Sequence, residues 1–504
     1  MMCALNSALP TEPGRRTLAE RRAVGRSLRE RVPRSSHAEW SPAADRPDPI
    51  SLLEEQDRSR LAQFVPLRYG RMIASPFGFL RGSAVVMAGD LAATPVTGLQ
   101  VQMCGDAHLS NFGVYATPER NQVFDVNDFD ETLPGPWEWD VKRLAASIVV
   151  AGRTMGFTRE MNRQAVVGCV RSYREHMWKY GEMFHIDVWY ARIDSENIRR
   201  FVRSSDRSYV EKELEKAHRS SSLLAFPRLT QEVHGRYRIK DDPPTIEHLN
   251  DEELARQLGA LVERYSASLQ EDRNVLLRKY RFVDVAHKVV GVGSVGTRCY
   301  VVLLMGSEQS DPLFLQVKQA QASVFEPHLG PSSYLNHSQR VVRGHYLMQA
   351  ASDIFLGWTG LGSIDFYVRQ LRDMKLSVNV ESLSESRFVW YCELCGWALA
   401  RAHARSGDPA QVSGYLGSKD AFDRAIASFA EAYADQTERD HAALLGAAQA
   451  GRVPTQTGGE IPVERSCSSA DAYRRTGKEE ADVICAAATV QRATGTGRPG
   501  RRPG

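Results

Sequence analysis

The hexapeptide "GVGSVG" at 291–296 puts three glycines between two apolar, strand-like runs, "FVDVAHKVV" and "CYVVLLM". So short a link turns the chain back on itself, so the two runs are read as a hairpin with a glycine-rich tip. This context disfavours a dinucleotide-binding βαβ unit, whose third glycine opens a helix. "PLFLQVKQA" follows as a further strand carrying Lys318, making 282–320 a β-rich patch. A second patch of short strands and loops covers 100–131, and "DFYVRQLRDMK" at 365–375 reads as a strand. By contrast, "WEWDVKRLAASIVVAGRTMG" at 137–156 spaces its apolar residues as a helix. So do most of 160–280, with a Pro-broken connection at "KDDPPTIEHL", and the stretches around 338–352, 387–405 and 418–448. A chain of this texture is α+β.

With 504 residues there is room for two lobes. The expected division is an Arg-rich flexible arm over 1–45 and a helical lobe with acid-bearing loops over 46–280. A β-rich lobe with the glycine loop and lysine follows over 281–380, then helices returning to the first lobe over 381–450. The Gly-, Arg-, Pro- and Thr-rich tail 451–504 cannot support a core and is expected to be disordered. Charged residues make up 25% of the chain and apolar ones 42%, and a formal net charge of +3 is no nucleic-acid signature. No apolar run approaches the ~20 residues a membrane span needs, and the N-terminus lacks the apolar segment of a signal peptide. The eight cysteines are scattered; Cys392 and Cys395 lie within a helical period and read as buried thiols. A reduced, cytoplasmic protein is expected.

Chemistry concentrates in "CGDAHLSNFGVY" at 104–115 and "FDVNDFDE" at 124–131. A loop carboxylate, Asp106, suits acceptance of a proton from an attacking hydroxyl. An amide five residues on, Asn111, suits binding of magnesium from the same side. Asp128 and Asp130 can complete such a site, with Asp125 as a nearby alternative, because magnesium takes hard oxygens and shares its shell with water and phosphate. Asp140, at the start of the next helix, is placed to brace the loop through backbone N–H groups. In the β-rich patch, Gly291, Gly293, Ser294 and Gly296 form a loop whose bare backbone can approach phosphates. Lys318 is either a phosphate ligand or a snorkelling edge lysine. His108 and His403 read as structural, and Trp137 and Trp139 as core or loop anchors. Arg68, Arg71 and Arg81 suit either an anionic substrate or pairing with the acidic loops.

"GDAHLSNFG", "DFD" and "WDVKRLA" resemble the catalytic end of aminoglycoside and choline phosphotransferases, the small-molecule branch of the protein-kinase-like fold. That resemblance implies Asp106 as base, Asn111 and Asp128 as metal ligands, Asp140 as brace, and the glycine loop with Lys318 on the phosphates of ATP. From about 20 to 455 the chain also resembles a bacterial family, domain of unknown function 2252. The resemblance rests on "YGRMIASPFGFLRG", "GDAHLSNFG", "NDFDETLPGPWEWDVKRLAAS", "GVGSVGTR", "YVRQLRDMK" and "ARAHARSGD". Two departures from kinase order stand out. The acidic loops precede the glycine loop, which implies a circular permutation. The helix "SQRVVRGHYLMQAASD" holds Gln339, Arg340 and Arg343 but no glutamate for Lys318, leaving Glu326 as a substitute or no ion pair at all. The expected function is ATP- and magnesium-dependent phosphotransfer to an unknown, small-molecule acceptor. A nucleotide-binding regulator without turnover, or a metal-dependent hydrolase using Asp106, His108, Asp125 and Asp128, are the rivals.

Overall fold

A computed structural model describes residues 16–249, 252–307, 311–371 and 374–456; the N-terminal end of the expected arm and the expected tail from 457 lie outside them. Helices and strands are both present, as α+β requires. The strands are β1 (Gln100–Met103), β2 (Phe112–Ala116), β3 (Gln122–Val126), β4 (Leu133–Pro136), β5 (Thr230–Val233), β6 (Arg236–Ile239), β7 (Ile246–His248), β8 (Arg281–Lys288), β9 (Cys299–Met305), β10 (Pro312–Ala320), β11 (Gly357–Leu361), β12 (Ile364–Gln370) and β13 (Leu376–Ser377).

Strands β7 to β12 form one antiparallel sheet in the order β11-β12-β10-β9-β8-β7. The glycine loop is the β8–β9 connection, as its short length requires. Because side chains alternate across a strand, the sheet has two different faces. Leu313, Leu315 and Val317 of β10 pack with Tyr300, Val302 and Leu304 of β9 under the helix Glu252–Tyr265. Phe314, Gln316 and Lys318 take the opposite face, with Leu303, Val301 and Cys299 directly across the ladder.

The remainder of the described chain is built on the helix Trp137–Thr154, every residue of which from Trp137 to Gly152 is buried. A helix buried on all sides belongs at the centre of a core, and here the helices Arg159–Glu182, Glu385–Ser406 and Ala421–Gln449 surround it. Trp137 stacks on Tyr173 and is fully enclosed, and Trp139 meets Phe325. Cys392 and Cys395 are free buried thiols within this core. Small sheets β1–β4 and β13-β2-β3 cap it and carry the acidic loops between their strands.

Two segments differ from the sequence reading. Residues 18–31, read as part of a frayed or weakly helical arm, form a fully developed helix started by a Thr17–Glu20 capping box. Its Arg21 pairs with Asp408 at 2.7 Å, and Arg29 donates to the carbonyls of Tyr415 and Gly414. Arg21 and Arg29 thus face acid and backbone partners of the chain itself. Within the expected helical stretch 160–280, residues 230–239 form a hairpin instead. Its turn is His234–Gly235, both with positive φ (50° and 74°), the conformation that a two-residue hairpin turn demands.

Candidate functional site

The helix Trp137–Thr154 presents three polar side chains, at spacings of three and four residues, to the loop 104–111. Asp140 accepts the backbone N–H groups of Cys104 (2.8 Å) and Gly105 (3.0 Å). Arg143 Nε donates to Asp106 Oδ1 at 2.5 Å, and Ser147 Oγ accepts the N–H of Leu109. The bracing role read for Asp140 is therefore what its oxygens do. His403 Nε2 lies 3.1 Å from Asp140 and Tyr173 OH lies 2.9 Å from His403 Nδ1, a buried chain that fixes the carboxylate. Gly105 has φ +85°, and a Cβ there would sit 2.3 Å from the carbonyl of Glu131. Only glycine lets the two acidic loops approach so closely.

Asp106, His108, Asn111, Asp128, Asp130 and Glu131 line one cleft, roofed by Gly291, Val292, Gly293 and Ser294 and bordered by Gln56 and Arg81. Lys318 reaches it from β10. Its Nζ lies 2.5 Å from Asp130 Oδ2 and 3.6 Å from Asp128 Oδ2. Burial opposes its charge, but the two carboxylates hold the ammonium protonated well above the usual lysine range. Asp130 also accepts from Tyr367 OH (2.8 Å) and Ser294 Oγ (3.3 Å), tying the glycine loop to the acids. The partner of Lys318 is thus this acid pair. Glu326 faces Arg340 and His337 instead, at 3.9 and 3.8 Å. Arg340 in turn donates to the backbone carbonyls of Asp130 and Thr132.

The remaining charges divide sharply. Asp125 is fully buried away from the cleft, where both oxygens accept from Arg401 Nη2 (2.7 and 2.8 Å) and Oδ2 also accepts the N–H of Ala350. As an alternative metal ligand it is displaced, because its place in β3 turns it to Arg401; the hydrolase reading loses one of its four residues. Asp128 would be raised by burial, yet Lys318, Arg369 and Lys375 hold it far below the ordinary carboxylate range. Its Oδ1 is buried with no hydrogen-bond partner. Asn111 donates its amide to the carbonyl of Asp106 at 2.7 Å, which leaves its Oδ1 uncommitted. Two uncommitted hard oxygens in one cleft fit a magnesium ion that shares its shell with phosphate and water. Among the described residues no group of three or more His, Cys, Asp and Glu is arranged to hold a metal.

Burial pushes Asp106 up, against the pull of Arg143, and pushes His108 well down so that it is neutral. Arg68 is buried and pairs with Asp57, and Arg71 donates to the carbonyl of Val290 at the root of the glycine loop. Of the three arginines read together in the sequence, Arg81 alone lines the cleft. Arg143 was not singled out there; its signal was a polar stripe, Asp140–Arg143–Ser147, at helical spacing on a buried helix.

Glu131 carries a pH signature. Burial raises it from about 4.5 to about 7, although the N–H of Val324 pulls it down. A folded-state value above the unfolded one means stability that is full below pH ~4.5 and lost as pH rises through ~7. Urea midpoints at pH 5 and pH 7.5 should therefore fall more in the wild type than in Glu131→Gln. Equal falls would show that Glu131 titrates normally.

Away from the acids, the Lys318 face of the sheet becomes apolar and is covered. Ile239 and Ile246 pack on Ala286, Val301, Leu303 and Phe314, with Phe226, Leu229 and Tyr237 alongside. The open cleft is consequently lined mainly by polar and charged groups and backbone.

No helix among the described residues is long and apolar enough to cross a membrane. The family described as an uncharacterized protein conserved in bacteria (DUF2252) matches residues 60–447. No curated protein and no solved structure matches the chain.

Proposed function

The chain belongs to the bacterial family DUF2252, and from its cleft we propose an ATP- and magnesium-dependent phosphotransferase of two-lobed, circularly permuted kinase-like architecture, acting on a small-molecule hydroxyl. The observation that carries this reading is the convergence of Lys318 with Asp128 and Asp130 under the glycine loop, from segments far apart in the chain. Kinases use a glycine loop between two strands, a lysine on the next strand after them, a catalytic-loop acid with an amide, and a metal-binding acid. The loop, the acids and the amide line this cleft, and the lysine meets it through Asp130 and Asp128.

The permutation has its own support. In kinase order a helix such as Glu385–Ser406 would run directly into β1 and the catalytic loop. The end of that helix lies against the start of β1, with Ser406 Oγ accepting the N–H of Gln102 at 2.9 Å. Joining the chain there would restore the usual order, as a permutation requires.

On this reading the acceptor hydroxyl attacks the terminal phosphorus. The new O–P bond forms as the bond to the leaving diphosphate breaks, and the hydroxyl proton passes to Asp106. Asp140, holding the backbone of Cys104 and Gly105, keeps Asp106 aimed. Lys318 and the loop amides orient the phosphate chain, and Asp130 anchors Lys318. Asn111 and Asp128 would hold a magnesium ion, which would supply neutralisation of phosphate charge. Positioning and charge stabilisation account for most of the rate.

Melting temperatures with and without Mg-ATP test the site. A ligand at ~100 times its dissociation constant stabilises by ~2.7 kcal/mol, a rise of a few degrees for a chain of this size. The rise should require magnesium and vanish in both Asp128→Ala and Lys318→Ala. A folded wild type with no rise would sink the proposal. The regulator reading is favoured by the ion pair of Asp106 with Arg143, which ties up the base; it predicts the same rise with no phosphate transferred.

A further inference from the structure

Arg81 differs from the cations that pair with the acids of the cleft. Lys318 is held by Asp130, and Arg143 by Asp106 and by the carbonyl of Leu80. Arg81, half-buried at the rim, makes no hydrogen bond and no ion pair within the described residues, and its Nε is shielded from solvent with no acceptor. Phe77 lies under its guanidinium at 5.7 Å, and Asp106 and Glu381 act on it only through their fields. Burying a guanidinium without an acceptor costs free energy, a cost that an anion entering the cleft would offset.

Its place says which anion. The carbonyl of Arg81 would lie 3.0 Å from a Cβ on Gly293, so the arginine sits at the tip of the glycine loop. Its charge also acts on Asp106 and His108, which line the same cleft. Lys318, by contrast, enters from the sheet beside Asp128 and Asp130. A phosphate chain lying along the loop would meet Lys318 with its inner phosphates and Arg81 with its last one.

Resting on the phosphotransferase reading, we propose that Arg81 receives the terminal, transferable phosphate of the donor. The planar fork can offer two N–H groups to one phosphoryl group, and the same contact would stabilise the charge that develops as the O–P bond to the diphosphate breaks. Because the apolar continuation of the Lys318 face is covered by the chain, the phosphate chain is the part of the donor that the open cleft reads. Inorganic tripolyphosphate shares that chemistry and serves as the base-free probe.

The test is titration calorimetry with magnesium and ATP, ADP or tripolyphosphate on the wild type, Arg81→Gln, Arg81→Lys and Lys318→Ala. Arg81 has no partner to strand, so its variants should fold as the wild type does. Arg81→Gln should weaken ATP and tripolyphosphate by ~10-fold or more, the scale of a lost charged hydrogen bond, and leave ADP within about 2-fold. Arg81→Lys, keeping charge without the fork, should fall between. If Arg81→Gln keeps the wild-type preference for ATP over ADP while Lys318→Ala loses both, the assignment of Arg81 is wrong and the nucleotide site stands. Equal wild-type affinity for ATP and ADP would also overturn it. No binding of any probe to the wild type would remove the assignment and the phosphotransferase reading together.

Discussion

Asp125→Ala is expected to lower stability by about 3–5 kcal/mol, the cost of stranding one charge of a buried pair. Asp125 and Arg401 are both fully enclosed, and Arg401 Nε and Nη1 already lack acceptors. Without the carboxylate, the one acceptor left to that guanidinium among the described residues is the carbonyl of Met348. The N–H of Ala350 and the hydroxyl of Tyr115 lose an acceptor as well. The urea midpoint would report the loss, and Asp125→Asn, which keeps an oxygen for Ala350, should lose less. Any protein that remains folded should still respond to Mg-ATP as the wild type does. A stable Asp125→Ala protein with no nucleotide response would return Asp125 to the metal site and revive the hydrolase.

Asp106→Asn is expected to reduce phosphoryl transfer by ~10²–10⁴-fold, the usual contribution of a positioned general base. ATP affinity should change little, because Asp106 touches Arg143 and not the lysine that orients phosphate. The sign of the pH dependence follows from burial, which raises Asp106 above the ordinary carboxylate value. Transfer needs the ionised form, so activity should fall on acidification at a pH above that of an exposed aspartate. Single-turnover rates from pH 4.5 to 8 would show this limb. An Asn variant with a wild-type rate would remove Asp106 from the chemistry and leave the ion pair with Arg143 as its role.

Local chemistry was legible where one residue type had only one comfortable use. Three glycines between two apolar runs required a tight return. An aspartate in the first turn of a buried helix required N–H groups to accept, and Cys104 and Gly105 supply them. What the sequence could not rank was "DVNDFD", where three aspartates within six residues have equal claims. Asp125 points to Arg401 and Asp128 to Lys318, and the difference lies in which side of β3 and its loop each occupies. The hairpin at 230–239 was missed although His234–Gly235 marks it, because the surrounding helical spacing outweighed a two-residue turn signal.

The sequence by itself therefore determined the class of the fold, the hairpin character of the glycine loop, the bracing by Asp140 and the family. These depend on periodicity, turn chemistry and contiguous motifs, all of which are local in the chain. Only the tertiary structure decided that Lys318 finds its counter-charges in Asp128 and Asp130, that Asp125 is withdrawn, that Glu326 serves Arg340, and that Arg81 is left at the rim of the cleft without a hydrogen-bond partner among the described residues. Those outcomes depend on which charges the fold brings within 4 Å and which it strips of water, and Coulomb pairing across a packed core leaves no trace in the spacing of residues.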